Sequence, residues 1–143
     1  MKRIFAMAAA AAAMILTSTA SGLAANLVAH IDIAAQRMTI TDNGRVIHDW
    51  PVSTARKGYH TPRGSYRPTR MHKMWYSRKY DMTPMPYSIF FKGGYAIHGT
   101  SQVKRLGSPA SHGCVRLATG NAKQFYDLVR LYGAQNTRIV LTN

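Results

Sequence analysis

The chain has 143 residues and a formal net charge of +14, with 19 Lys and Arg against five acidic residues, every one an aspartate. That length makes one domain and hardly two. The missing glutamate excludes an HExxH zinc helix, and five scattered aspartates are a poor basis for the carboxylate pair of a glycosidase.

The first 25 residues read differently from the rest. Lys2 and Arg3 lead into an unbroken apolar run, Ile4 to Leu16, followed by the small residues of TSTASGLAAN. A basic start, an apolar run and small residues are the layout of a secretory signal peptide. A cut between Ala20 and Asn26 is expected, with residues 1–25 as signal and 26–143 as the mature domain. The alternative is a membrane anchor, but the run is shorter than the ~20 residues a spanning helix needs. The expected location is therefore outside the cytoplasm, periplasmic or cell-wall associated. The mature part keeps 17 Lys and Arg (19 minus Lys2 and Arg3) against 5 Asp, a net charge of +12. Such basicity suggests an anionic partner. An exported protein rarely meets nucleic acid, so lipid headgroups and cell-wall polymer are the better candidates. For many individual lysines, solubility is explanation enough.

In chain order, Leu27, Ala29, Ile31 and Ile33 alternate as a half-buried strand does, and Met38 and Ile40 continue after a turn at Ala34 to Arg37. Asp42-Asn43-Gly44 signals a hairpin, because Asn-Gly accepts the positive φ angles of a tight turn. Val46, His48, Trp50 and Val52 alternate beyond it, so the domain opens as an antiparallel meander. Arg56 to Lys79 is strongly basic and holds no acid; Pro62 and Gly64 punctuate a turn there before a strand. Tyr87 to Phe91 reads as an apolar strand and GGYAIHGT as another after a glycine turn. The loop SQVKRLGSPA then leads into SHGCVRL. Ala122, Phe125, Leu128, Val129 and Tyr132 recur at helical spacing, with Asn121 as N-cap and Gly133 as the stop. RIVLT closes the chain as a strand. The reading is one mostly-β domain with one helix near the C-terminus.

Cys114 is the only cysteine. Small exported domains use cysteines in disulfide pairs, so a lone one is either buried and inert or a working thiol. Free cysteines are among the most buried residues. Yet Ser111, His112, Gly113 and Arg116 are poor core formers, which favours the working thiol. The nucleophile is the thiolate, so a base must stand nearby. His112 is two residues away, on the same side of an extended segment. His98, 16 residues upstream at the end of a strand, can be returned to Cys114 by the intervening loop. Spacing alone leaves both open. The Gly113 and Cys114 amides can form an oxyanion hole, with no side chain at 113 to block a carbonyl. Arg116 can pair with a substrate carboxylate or with one of the aspartates. Ser111 is expected to support the loop. Trp50, Trp75, Tyr87 and Tyr95 can line a cleft or pack in the core; Tyr87 and Tyr95, on the strands nearest His98, are the better cleft candidates. His30, His48, His60 and His72 need no special role.

HGT followed by SHGCVRL resembles the signature of the L,D-transpeptidase (YkuD-like) catalytic domain: a histidine and a glycine, a gap, then Ser/Thr-His-Gly-Cys-x-Arg. VSTARKGYHTPRGSYRP and YAIHG match as well, so the resemblance covers essentially the whole mature part. It implies a single β-sandwich or barrel domain with one helix near the C-terminus. It implies Cys114 as nucleophile on the third residue of a peptidoglycan stem peptide, releasing the fourth. His98 would be the base, its ring held by the Gly99 carbonyl, and His112, Gly113 and Arg116 would shape the oxyanion hole and pocket. With Arg116, the substrate-binding set is Ser111, Tyr87 and Tyr95. An amine of a second stem peptide would resolve the thioester into a cross-link; water would make the chain a carboxypeptidase. No cofactor, no nucleic-acid partner and no membrane span after signal cleavage are expected, and the expected state is a monomer. Members often carry an asparagine soon after the motif; here Asn121 comes later and is given no catalytic role. Many also carry a wall-binding module, for which this chain has no room, so its basic surface is expected to hold the wall.

Two rival functions use the same residues. A zinc hydrolase would ligate metal through His98, His112 and Cys114. A non-enzymatic wall-binding protein would explain the charge and the export but not the cysteine motif.

Overall fold

The computed structural model describes residues 25–143. The expected signal peptide, but for Ala25, lies outside the described residues. The chain opens with three strands, β1 (Leu27–Asp32), β2 (Arg37–Asp42) and β3 (Arg45–Pro51), paired as the expected antiparallel meander. Leu27, Ala29, Ile31, Met38 and Ile40 turn one face fully inward. Asn43 (φ 47°) and Gly44 (φ 82°) make the tight turn with both φ angles positive, as anticipated.

The far strand corrects the sequence reading. Ile40 stands opposite His48 but Thr41 opposite Val46, which leaves Ile47 as an extra residue. A bulge of this kind reverses which face each residue presents beyond it. Val46 is accordingly 59% exposed, and Ile47 packs on the core in its place.

RIVLT lies in β9 (Thr137–Thr142), which runs parallel to β1 and antiparallel to the short β4 (Gly64–Tyr66). The first sheet therefore has the order β3-β2-β1-β9-β4. The second is β5 (Arg70–Ser77), β6 (Thr83–Lys92), β7 (Tyr95–Thr100) and β8 (Val115–Ala118), with β7 and β8 parallel. Sequence reading found half of β6 and none of β5. β5 is an edge strand with no fully buried residue, so it shows little apolar alternation. The first half of β6 holds Pro84 and Pro86, residues that argue against a strand away from an edge or a bulge.

The helix α1 (Thr119–Tyr132) lies against β6, β7 and β8 and buries Ala122, Phe125, Tyr126 and Val129. Its N-cap is Ala118, not Asn121, which sits in the first turn. β8 runs directly into α1, so the extended last residue of the strand takes the cap position. Gly133 ends the helix as expected, its N–H donating to the Val129 carbonyl. The inner faces of both sheets and α1 share one core. Two open sheets make a sandwich; the barrel alternative is not what forms.

One crossing segment positions the site. After β3 the chain passes to the outer edge of the second sheet, where Ser53 exchanges two backbone hydrogen bonds with Arg116 (3.1 and 2.9 Å). The Ala110 and Ser111 amides donate to the Thr54 carbonyl, and the Arg56 amide donates to the Ser111 carbonyl, each at 2.9 Å. The loop before β8 is thus pinned from outside as well as by β7.

Candidate active site

The face presented by β7 and β8 follows from register. Ile97 stands opposite Val115, and both are core residues. Alternation then turns Ala96, His98, Cys114 and Arg116 to the other face. That face floors a cleft of about 450 Å³, lined by Cys114, His98, Arg116, Tyr95, Ser111 and His112 among others. His98 and Cys114 lie diagonally across neighbouring strands, a Cα separation of roughly 8 Å from strand spacing and rise. Both side chains line the same cleft.

His98 is almost fully buried, and its Nδ1 lies 2.7 Å from the Gly99 carbonyl oxygen. A carbonyl can only accept, so Nδ1 carries the proton and Nε2 keeps its lone pair. Burial holds the imidazole pKa down to about 4; the Gly99 hydrogen bond opposes this and the Arg116 charge adds to it. At neutral pH the ring is an uncharged proton acceptor. Cys114 is half-buried at the cleft wall, with Sγ 3.9 Å from the Gly94 carbonyl. Burial pushes its thiol above the ordinary range, against a backbone hydrogen bond from Ala96 and the Arg116 charge. Both groups are thus biased toward their uncharged forms, a thiol and a neutral imidazole.

Two hydroxyls and a missing side chain shape the loop. Ser111 Oγ donates to the Cys114 carbonyl (2.6 Å) and accepts from the Gly113 N–H (3.0 Å), the supporting role expected of it. Thr61 Oγ1 donates to the Gly113 carbonyl (2.8 Å) and accepts from the Ala55 N–H (2.9 Å). Gly113 itself has φ +140°, and a Cβ there would lie 2.6 Å from the Tyr95 ring and 2.8 Å from the His60 carbonyl. The oxyanion expectation needs correcting in one part. The Gly113 amide, one of the two expected donors, already donates to Ser111 Oγ.

The remaining expected residues divide. Tyr95 lines the cleft; Tyr87 does not, because its ring packs edge-on against Tyr126 of α1 at 5.7 Å. Tyr87 has φ +53°, an irregularity in β6 that strand parity could not foresee. Trp75 lines the cleft, whereas Trp50 is a core residue stacked on His48 at 4.5 Å. Arg116 bonds to Gln102 (3.3 Å) and the Ala110 carbonyl (3.5 Å). Among the described residues it pairs with no aspartate, since the ion pairs there are Arg37–Asp49 and Lys123–Asp127. His112 is clasped by aromatic rings, stacked on Tyr80 at 4.0 Å and edge-on to Tyr59 at 4.7 Å. Desolvation, then Arg56, Arg116 and Lys79, lower its pKa. Among the described residues no three His, Cys or Asp side chains gather as metal ligands, so the set a zinc hydrolase requires is not assembled. Sequence reading missed Thr61 and the Arg78-Lys79-Tyr80 turn beside the cleft. Thr61 left no signal beyond its place before Pro62, and the turn was hidden inside a run read only as basic.

Residues 26–140 match the L,D-transpeptidase catalytic domain family, YkuD. No curated protein sequence matches the chain. Among solved structures, the L,D-transpeptidase from Mycobacterium smegmatis is 20% identical with a TM-score of 0.74, over 82% of this chain and 59% of that one. The L,D-transpeptidase (Yku) from Stackebrandtia nassauensis is 23% identical with a TM-score of 0.71, over 82% and 56%. That from Xylanimonas cellulosilytica is 28% identical with a TM-score of 0.70, over 83% and 61%. The chain thus spans about three fifths of the length of these structures. With the match running from the first strand into the last, and the cysteine and histidine turned to one cleft, the chain belongs to the L,D-transpeptidase catalytic domain family.

Proposed function

We propose that this protein is a peptidoglycan L,D-transpeptidase that works through a Cys114 thioester. Cys114 Sγ attacks the carbonyl of the third residue of a stem peptide. The Sγ–C bond forms, the C–N bond to the fourth residue breaks, and the thiol proton passes by way of His98 to the departing amine. An amine of a second stem peptide then attacks the thioester, its proton returns through His98 to the sulfur, and a cross-link results. The Cys114 amide polarises the carbonyl oxygen, and Arg116 meets a carboxylate of the peptide. The acceptor amine and the exported setting rest on the family and on residues 1–25, which have the composition of a signal peptide.

The observation that carries this reading is the His98–Gly99 hydrogen bond. It fixes the tautomer, leaving the free nitrogen of a neutral ring on the face that bears Cys114. A wall-binding protein would have no use for that arrangement. Mass spectrometry of purified tetrapeptide muropeptides incubated with the protein is the test. Cross-linked dimers are expected from the wild type and none from Cys114→Ala. Trimmed monomers without dimers would identify water as the acceptor, and unchanged muropeptides would refute the acyl-transfer reading.

A further inference from the structure

The cleft carries a second polar feature, at the end remote from the sulfur. Arg70 of β5 pairs with Phe90 of β6, and Phe90 with Ala96 of β7. Cys114 precedes the Ile97–Val115 pair by one residue, level with Ala96. These positions form one row across the sheet, so Arg70 and Cys114 stand three strand spacings apart, roughly 14 Å between Cα atoms.

The Arg70 guanidinium is held by rings. Its central carbon lies 3.7 Å from the centre of Phe90 and 4.6 Å from that of Trp75, two rings that meet nearly at right angles 5.6 Å apart. Seating over two aromatic rings restricts the guanidinium without consuming its N–H donors. One nitrogen comes within 3.5 Å of His72 Nε2. Among the described residues no carboxylate pairs with Arg70, and none lines the cleft. A guanidinium already oriented loses little freedom when a carboxylate takes it in a two-point contact.

We propose that Arg70 anchors a free carboxylate of the peptide ligand at the end of the cleft away from Cys114. The inference rests on the acyl-transfer reading for which carbonyl sits at the sulfur. The guanidinium lies over Phe90, two strand spacings or roughly 10 Å from Cys114 along the row; an extended peptide covers about 3.3–3.6 Å per residue, so a side-chain carboxylate carried about two residues from the reacting carbonyl, within a stem peptide, reaches it. The site therefore distinguishes peptides whose distal acid is free from those in which it is a carboxamide. Arg116, close to Cys114, answers to carboxylates nearer the reacting bond.

The test measures binding of fluorescent peptides to the full chain carrying Cys114→Ala, by anisotropy at low salt. A single Glu or Gln is stepped one to six residues from the target carbonyl, on either side. The Glu peptide is expected to bind about tenfold more tightly than its Gln partner when the acid sits about two residues away. R70Q should collapse that distal preference to near unity while leaving any preference at the adjacent position. R70K, which keeps the charge and loses the fork, should give an intermediate ratio and guards against misreading a folding defect. Equal binding of Glu and Gln peptides at the distal positions overturns the proposal, as does a preference that R70Q leaves intact. Because the binding readout needs no turnover, failure of the muropeptide reaction with the distal preference intact would sink the enzymatic reading and not this site.

Discussion

At the scale of single residues, the site is governed by which groups are kept neutral and which positions admit no side chain. His98 accepts a proton only when uncharged, and it is uncharged above its own pKa of about 4. In the proposed acyl transfer, thioester formation should therefore hold its rate as pH falls through 6.5, the point at which an unperturbed histidine would fail, and be lost with a midpoint near pH 4. Stopped-flow acylation across pH 3.5–8 reads this directly, and a midpoint near 6.5 would contradict it. Cys114 answers with the opposite sign. Its raised pKa means that iodoacetamide labelling should be slow at neutral pH and climb only above the range of a free thiol. Gly113→Ala should lower stability by about 2 kcal/mol or more in urea unfolding, because a β-carbon there meets the His60 backbone and occupies a left-handed φ. The sequence displayed Cys114, since a lone thiol amid polar neighbours is unusual, but spacing left His98 and His112 both open beside it and only the family resemblance chose between them. It could not say that the Gly113 amide is already bonded to Ser111, because that bond depends on how the loop curls. Nor could it remove Tyr87 from the cleft, because the positive φ that turns it aside is Tyr87's own.

At the scale of elements, α1 is held to the second sheet by the side that bears Ala122, Phe125, Tyr126 and Val129. Phe125→Ala should cost about 3–5 kcal/mol, the usual toll for emptying a fully buried aromatic position. Leu131→Ala, on the 79% exposed side, should fall within about 0.5 kcal/mol of the wild type. Urea denaturation of both variants supplies the comparison, and equal losses would mean the helix is docked differently. This helix and the opening meander were legible because their apolar spacing is regular. Elsewhere regularity fails for nameable reasons. The extra residue at Ile47 exchanges the facing of Val46, and β5, an edge strand without a buried residue, offers no pattern to find. The N-cap was misplaced because Ala118 serves two elements at once, a junction that propensity cannot weigh.

At the scale of the whole molecule, the buried histidine ties stability to acidity. Above pH 6.5 His98 is neutral in both folded and unfolded chains and contributes no slope. Between 6.5 and about 4 the unfolded chain takes a proton that the folded one refuses, so stability declines as pH falls, by about 3 kcal/mol over that window. His98→Gln has no such proton to gain. Its unfolding free energy should drop less between pH 7 and pH 4.5 than that of the wild type, and parallel declines would show that the ring is not shielded. The order of assembly is set by another feature, the place of β9. The final strand is inserted between β1 and β4, with Leu27 abreast of Thr137. β1 has β2 on its other side, but β4 touches no strand of this sheet except β9, so it joins only once β9 has docked. Closure across so much sequence is slow. Folding should therefore wait on one long-range pairing rather than proceed strand by strand from the first residue.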